Sequence, residues 1–310
     1  MIGVLLGAVA FYVSAGMGAV VETFSSAISS KSIKIKNAVI ISAVVIFIAV
    51  IFYGQVVSKT FRSMVPEYNT IPVFSLAVMI SIGLWFTLCA WKGWPISTTS
   101  SVVGAVIGAA FVKKIPVNID VVWNVLISWI ASPLAGMVVA FFVYIILKKL
   151  IINRINNFKS REVLERVFSV ILIIISILVL FEKSVNDVAN AIAFVPSDDD
   201  MIIPKLIGAA GMSLGMLLFG KKILKNLGIK LTAVSPSASF SALFSAYIVL
   251  KTANFFGMPI SSTMVLVSGM VGSGLSMKRK VNKKLLKEIM FSWVITLPVC
   301  AILSGIISFF

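Results

Sequence analysis

Apolar residues in this chain come in long blocks, separated by short polar segments that are mostly basic. Ten blocks stand out, at about 2–20, 37–57, 72–91, 95–112, 119–147, 167–195, 201–220, 232–251, 259–276 and 288–309. A helix needs about 20 apolar residues to cross a bilayer core, so the pattern predicts an all-α polytopic membrane protein with about ten spans. Lys and Arg orient it. If the basic segment 148–166 is cytoplasmic, the loops carrying Lys31/Lys34/Lys36, Lys92, Lys221/Lys222/Lys225/Lys230 and the cluster from Lys278 to Lys287 fall on the same side. That is the excess of inside charge that topology follows. Asp198–Asp200 then falls outside, together with Lys59, Arg62, Lys113 and Lys114.

Composition removes the other classes. The chain is 59% hydrophobic and only 12% charged, with a mean hydropathy of +1.08, far from the balance of a soluble domain. It has no His, which excludes His-ligated metals, haem and a His general base. Its two Cys, Cys89 and Cys300, lie inside apolar runs and make neither a disulfide framework nor a zinc site. No cofactor is expected. A net charge of +16 reads as topology signal in the loops and not as a nucleic-acid surface.

The threading puts five spans in each half, and an odd number turns the second half upside down relative to the first. The halves also share motifs. Pro95-Ile96-Ser97-Thr98-Thr99-Ser100 and Pro259-Ile260-Ser261-Ser262-Thr263-Met264 stand 164 residues apart, each preceded by Gly-Trp or Gly-Met and followed by a run of small residues. Gly54 and Gly220 are 166 apart, and Phe11 and Phe181 are 170 apart. The expectation is two inverted repeats, 1–147 and 167–310, joined by a basic linker at 148–166, with broken or re-entrant helices at the midplane. Secondary carriers are commonly built so, with the site between the repeats.

Pro favours the first position of a helix, and the residues after it expose free N–H groups. The hydroxyls of Ser97, Thr98, Thr99, Ser261, Ser262 and Thr263 fall in that first turn and add O–H donors, a ready site for an oxyanion. The bland alternative is that they bond back to their own turn or glue helices together. No Arg lies in any span, so these neutral donors would hold the anion and a bound cation would balance its charge. In the run Glu182-Lys183-Ser184-Val185-Asn186-Asp187-Val188-Ala189-Asn190, an ionisable group lies deep in a span, a functional candidate by default. Asn186, Asp187 and Asn190 offer hard oxygen ligands suited to Na+. The alternative for Asp187 is an i, i+4 pair with Lys183. The first-half counterpart has Gly16 and Met17 where Asn186 and Asp187 stand, and Glu22 is the carboxylate nearby. Glu22 and Glu182 are therefore candidate coupling groups.

These residues resemble the inorganic phosphate transporter (PiT) family. Ser184-Val185-Asn186-Asp187-Val188-Ala189-Asn190-Ala191 is similar to the family's Gly-Ala-Asn-Asp-Val-Ala-Asn-Ala, and Pro95–Thr99 and Pro259–Thr263 to its Pro-[Val/Ile]-Ser-Thr-Thr. The resemblance covers nearly the whole chain. It implies inverted repeats, an oxyanion held between the Pro-Ser-Thr helix starts, and coupling to Na+ or H+ through the Asn-Asp motif. Three departures stand out: the first-half Asn-Asp is missing, Ser100 and Met264 replace the His that often follows the motif, and the long central loop of many members is absent. A sulfate-transporting branch of the family also lacks the first Asn-Asp, which makes sulfate the rival substrate.

The expectation is thus a cation-coupled phosphate carrier in the plasma membrane, in contact with the lipid bilayer and not with nucleic acid. A sulfate permease is the near alternative and an anion channel a distant one. An intramembrane enzyme lacks the His, the placed Cys and the paired carboxylates it would need. A homo-oligomer stays open.

Overall fold

The computed structural model describes residues 23–53, 57–67, 72–92, 94, 97–194, 202–227, 235–279 and 283–310. The predicted span 2–20, Glu22, Pro95 and the acidic run Asp198–Asp200 lie outside them. Residues 23–29 are helical. After them come α1 (Ile35–Tyr53), α2 (Ser58–Met64), α3 (Pro72–Lys92), α4 (Thr98–Lys113), α5 (Ile119–Leu150), α6 (Phe158–Ile192), α7 (Ile202–Leu227), α8 (Pro236–Phe255), α9 (Ser262–Ser276) and α10 (Lys283–Phe309). No strand occurs among the described residues.

Among the described residues, five helices are long and apolar enough to cross a membrane: α1, α5, α6, α7 and α10. On α5, Trp123, Ile127, Ile130, Leu134, Val138 and Phe142 are exposed at three- and four-residue spacing. That apolar stripe is at home against lipid and costly against water. The short α4 and α9, of 16 and 15 residues, reach only about 22–24 Å at 1.5 Å per residue, short of a ~30 Å core. Each pairs with the helix before it, α3 with α4 and α8 with α9, with Trp94 and Ser97 outside helix ahead of α4 and 256–261 outside helix ahead of α9.

Three elements depart from the sequence reading. The basic segment 148–166 is mostly helix: α5 runs on to Leu150, α6 begins at Phe158, and a 3-10 turn over Ile152–Arg154 sits between. Asn157 opens α6, its Oδ1 accepting the Lys159 N–H at 3.0 Å. The short α2 carries no apolar block of its own and escapes a span-based reading. Helices α4 and α9 start later than expected, because Ser97 and Ser261 are N-caps, in extended backbone, and not first-turn residues. Pro259 therefore lies two residues ahead of a cap. The N1 proline occurs instead in α8, at Pro236 behind the cap Ser235.

The most extensive packing is crosswise. Helix α4 lies on α10, α9 on α5, and α1 on α7. Glycine permits the closest of these approaches: a Cβ at Gly108 would collide with the backbone of Ala301, and one at Gly272 with the backbone of Met137. Gly108 and Gly272 are 164 residues apart, and so are Met137 and Ala301. The two contacts thus occupy matching places in the two halves of the chain. Small residues at helix crossings are how packing is won where water gives no hydrophobic drive. A polar tie fastens the α4–α10 seam, Ser304 donating to the Ala105 carbonyl, and another joins α8 to α5, Ser245 donating to the Gly136 carbonyl at 2.6 Å.

Candidate functional site

The breaks before α4 and α9 meet. Thr99 Oγ1 donates to the Ile260 carbonyl at 2.8 Å, joining one hairpin tip to the other. Ser128 Oγ, from α5, donates to the Pro259 carbonyl at 2.9 Å and holds the second tip in place. The six hydroxyls of the two motifs, all buried, divide by role. Ser97 Oγ accepts from the Ser100 N–H at 3.2 Å and the Ser100 hydroxyl at 2.8 Å, and Ser261 Oγ accepts from the Met264 N–H at 3.3 Å. These two cap their own helices, as the bland alternative holds. Thr99 ties the tips together, and Thr263 is buried beside them.

Thr98 and Ser262 face α6. Thr98 Oγ1 donates to Asp187 Oδ1 at 2.8 Å, and Ser262 Oγ donates to the same oxygen at 3.2 Å. Asp187 therefore stands at the N-terminal ends of α4 and α9 at once, where both helix dipoles favour negative charge. It is itself an anion in the place an oxyanion would seek. Lys183, one turn earlier, completes the group. Its Nζ lies 2.7 Å from Asp187 Oδ2 and donates to Ser262 Oγ at 2.8 Å. The two charged side chains are 5% and 1% exposed. The expectation of neutral donors alone is corrected here: a lysine ammonium lies within the group, because the i, i+4 step puts Lys183 on the face that meets the tips.

The next face of α6 carries a second polar chain. Asn186 Nδ2 donates to Asn254 Oδ1 at 2.9 Å and to the Met258 carbonyl at 3.3 Å. Asn254 Nδ2 in turn donates to the backbone carbonyl and to Oε2 of Glu182, both at 2.8 Å. The other oxygen of Glu182 lies 3.8 Å from the exposed Lys251 ammonium. Glu182 is thus tied to Asn254 near the end of α8 and to Lys251 at the surface. Asn186 Oδ1 and both polar atoms of Asn190 are buried with no hydrogen-bond partner among the described residues.

The three expected cation ligands are therefore split. Asp187 faces the hydroxyls and Lys183, while Asn186 faces α8. No cluster of three or more His, Cys, Asp or Glu that could hold a metal occurs among the described residues.

Two side chains carry weight that the sequence reading passes over. Asn254, a lone amide near the end of an apolar helix and just ahead of Gly257-Met258-Pro259, links Asn186 to Glu182. Glu165 reaches from α6 to the start of α8, accepting the Ser237 N–H at 2.9 Å and its hydroxyl at 2.7 Å. An acid at a helix N-terminus is the available signal for it.

The sequence profile of the phosphate transporter family matches residues 15–304. This chain belongs to that family. Among curated relatives, one from Pyrococcus furiosus named "Putative phosphate permease" is 28% identical, covering 99% of this chain and 95% of its own. Relatives of the same name from Chlamydia pneumoniae and Haemophilus influenzae are 26% and 23% identical over at least 93% of each chain. Among solved structures, one titled "The sodium-dependent phosphate transporter" matches with a TM-score of 0.91 over 99% of this chain and 97% of that one, at 22% identity, which establishes the shared fold. The family's fold and the apolar helices make this an integral membrane protein.

Proposed function

We propose that this chain is a secondary carrier that moves inorganic phosphate across the plasma membrane by alternating access, coupled to a cation, Na+ or H+. The observation that carries the reading is the convergence of Thr98, Ser262, Lys183 and Asp187 where two helix starts meet. Donors from both halves would close on one tetrahedral oxyanion, and Lys183 would offset its charge. The matching contacts of Gly108 and Gly272 support two inverted repeats, 1–147 and 167–310, that rock about this group. Asn186 Oδ1 and Asn190 are the oxygen donors left to a co-transported ion.

Sulfate is the second reading, favoured by one feature. Asp187 Oδ1 already accepts two hydroxyls and Oδ2 faces the ammonium, so little acceptor capacity remains for the proton of monohydrogen phosphate. Sulfate at neutral pH accepts hydrogen bonds and donates none.

The test is uptake of labelled phosphate and labelled sulfate, side by side, into proteoliposomes with and without a Na+ gradient. Saturable phosphate uptake supports the lead, and saturable sulfate uptake without phosphate uptake moves the assignment to sulfate. Leak that never saturates with either ion would sink the carrier reading.

A further inference from the structure

The donor set at Asp187 does not fit a metal cation. One carboxylate oxygen is held by two hydroxyls and the other by an ammonium 2.7 Å away. A metal ion touching either oxygen would sit next to that ammonium, with both charges shut away from water. Like charges in so poorly screened a place repel strongly. Nor is the lysine a stray charge swung in from solvent. It comes from the same helix at the i, i+4 step, lies almost fully buried, and its Nζ also donates to Ser262 on α9. The ammonium therefore touches both the carboxylate and a hydroxyl that belongs to the anion group.

We propose that Lys183 is a built-in cation, which takes the position beside Asp187 that a transported metal ion would otherwise have to fill and presents its charge to the incoming anion. The inference rests on the carrier reading above. The pair leaves Asp187 compensated without Na+. The substrate then meets a net-neutral Lys183–Asp187 pair whose ammonium can turn to it, the Thr98 and Ser262 hydroxyls once they turn from Asp187, and two helix N-termini. Coupling through Na+, where it occurs, has to use another place, such as Asn186 Oδ1 and Asn190. Lys183 is in this sense a specificity residue: it sets which cation the carrier requires.

The experiment uses the purified full chain in two formats. Thermal stability is followed as Na+ replaces choline at constant ionic strength, and labelled phosphate and sulfate uptake is measured in proteoliposomes under the same exchange. In the wild type the Na+ response through Asp187 is absent. Lys183→Gln acquires one, a rise in stability and a gain of about tenfold or more in apparent anion affinity when Na+ is added, as expected for restoring a charged partner. Should Lys183→Gln not fold, the charge-neutral Lys183→Gln/Asp187→Asn pair decides. In that case a wild-type Na+ response that persists in the double variant, or no wild-type response at all, upholds the assignment; where Lys183→Gln folds, its gain of a Na+ response is required. A wild-type Na+ response that vanishes in the double variant overturns it, as does a folded Lys183→Gln that stays indifferent to Na+. The stability readout needs no transport, so failure of both anions to be taken up would remove the carrier reading and leave the Lys183 assignment to be judged separately.

Discussion

At the scale of single residues, the site turns on which hydroxyls are committed to caps and which are not. Thr98→Val and Ser262→Ala each remove one donor to Asp187, and each should raise the half-saturation concentration for the anion about tenfold, the usual worth of a charge-assisted hydrogen bond. Uptake kinetics across a range of substrate concentrations read this directly. Ser97→Ala should instead act through the α4 cap, lowering thermal stability by about 1 kcal/mol with a smaller change in affinity. Asn254→Ala strips a partner from both Asn186 and Glu182, and the expected cost is about 2 kcal/mol in denaturation midpoints. Much of this was visible in the sequence. The duplicated Pro-Ile-Ser motifs marked both tips, while the i, i+4 spacing of Lys183 and Asp187 offered their pairing only as the alternative to a cation site at Asp187. What the spacing could not convey is that their common face meets the hydroxyls of Thr98 on α4 and Ser262 on α9, each more than seventy residues away, or that Asn254 closes the neighbouring face. Those contacts depend on tertiary packing, which local pattern does not encode.

At the scale of elements, the crossings of α4 with α10 and α9 with α5 are set by backbone proximity. Gly108→Ala and Gly272→Ala should each cost about 1–3 kcal/mol, since the carbonyls they meet belong to rigid helices and cannot step aside. Gly274→Ala is the control. No atom lies within 4 Å of a Cβ placed there, so thermal stability should move by less than about 0.5 kcal/mol. Glu165→Gln weakens the acid that receives the start of α8, with an expected loss of about 1 kcal/mol. The long apolar blocks placed nearly all these helices correctly. Their ends were less legible because charged residues such as Lys148, Lys149, Arg161 and Arg166 continue a helix past the apolar block and read as loop.

At the scale of the whole molecule, the basic end of α5 and the opening of α6 should face the cytoplasm under the positive-inside reading. A single Cys introduced at Asn156, in a chain freed of Cys89 and Cys300, should react with a membrane-impermeant maleimide only from the cytoplasmic side, and one at Asp120 only from the other. The reverse pattern would turn the threading over. The crosswise packing has a further consequence, for the making of the protein. Helix α4 is complete by Lys113, yet the helix it rests on does not begin until Lys283 and ends at Phe309. At ~5–20 residues per second of synthesis, α4 waits on the order of 10–40 s in the nascent chain before its glycine face finds a partner. Cellular quality control must leave that unfinished hairpin alone for the whole interval. A transcript truncated just ahead of α10 would lose more than a final helix, because α4, finished long before, would never be seated.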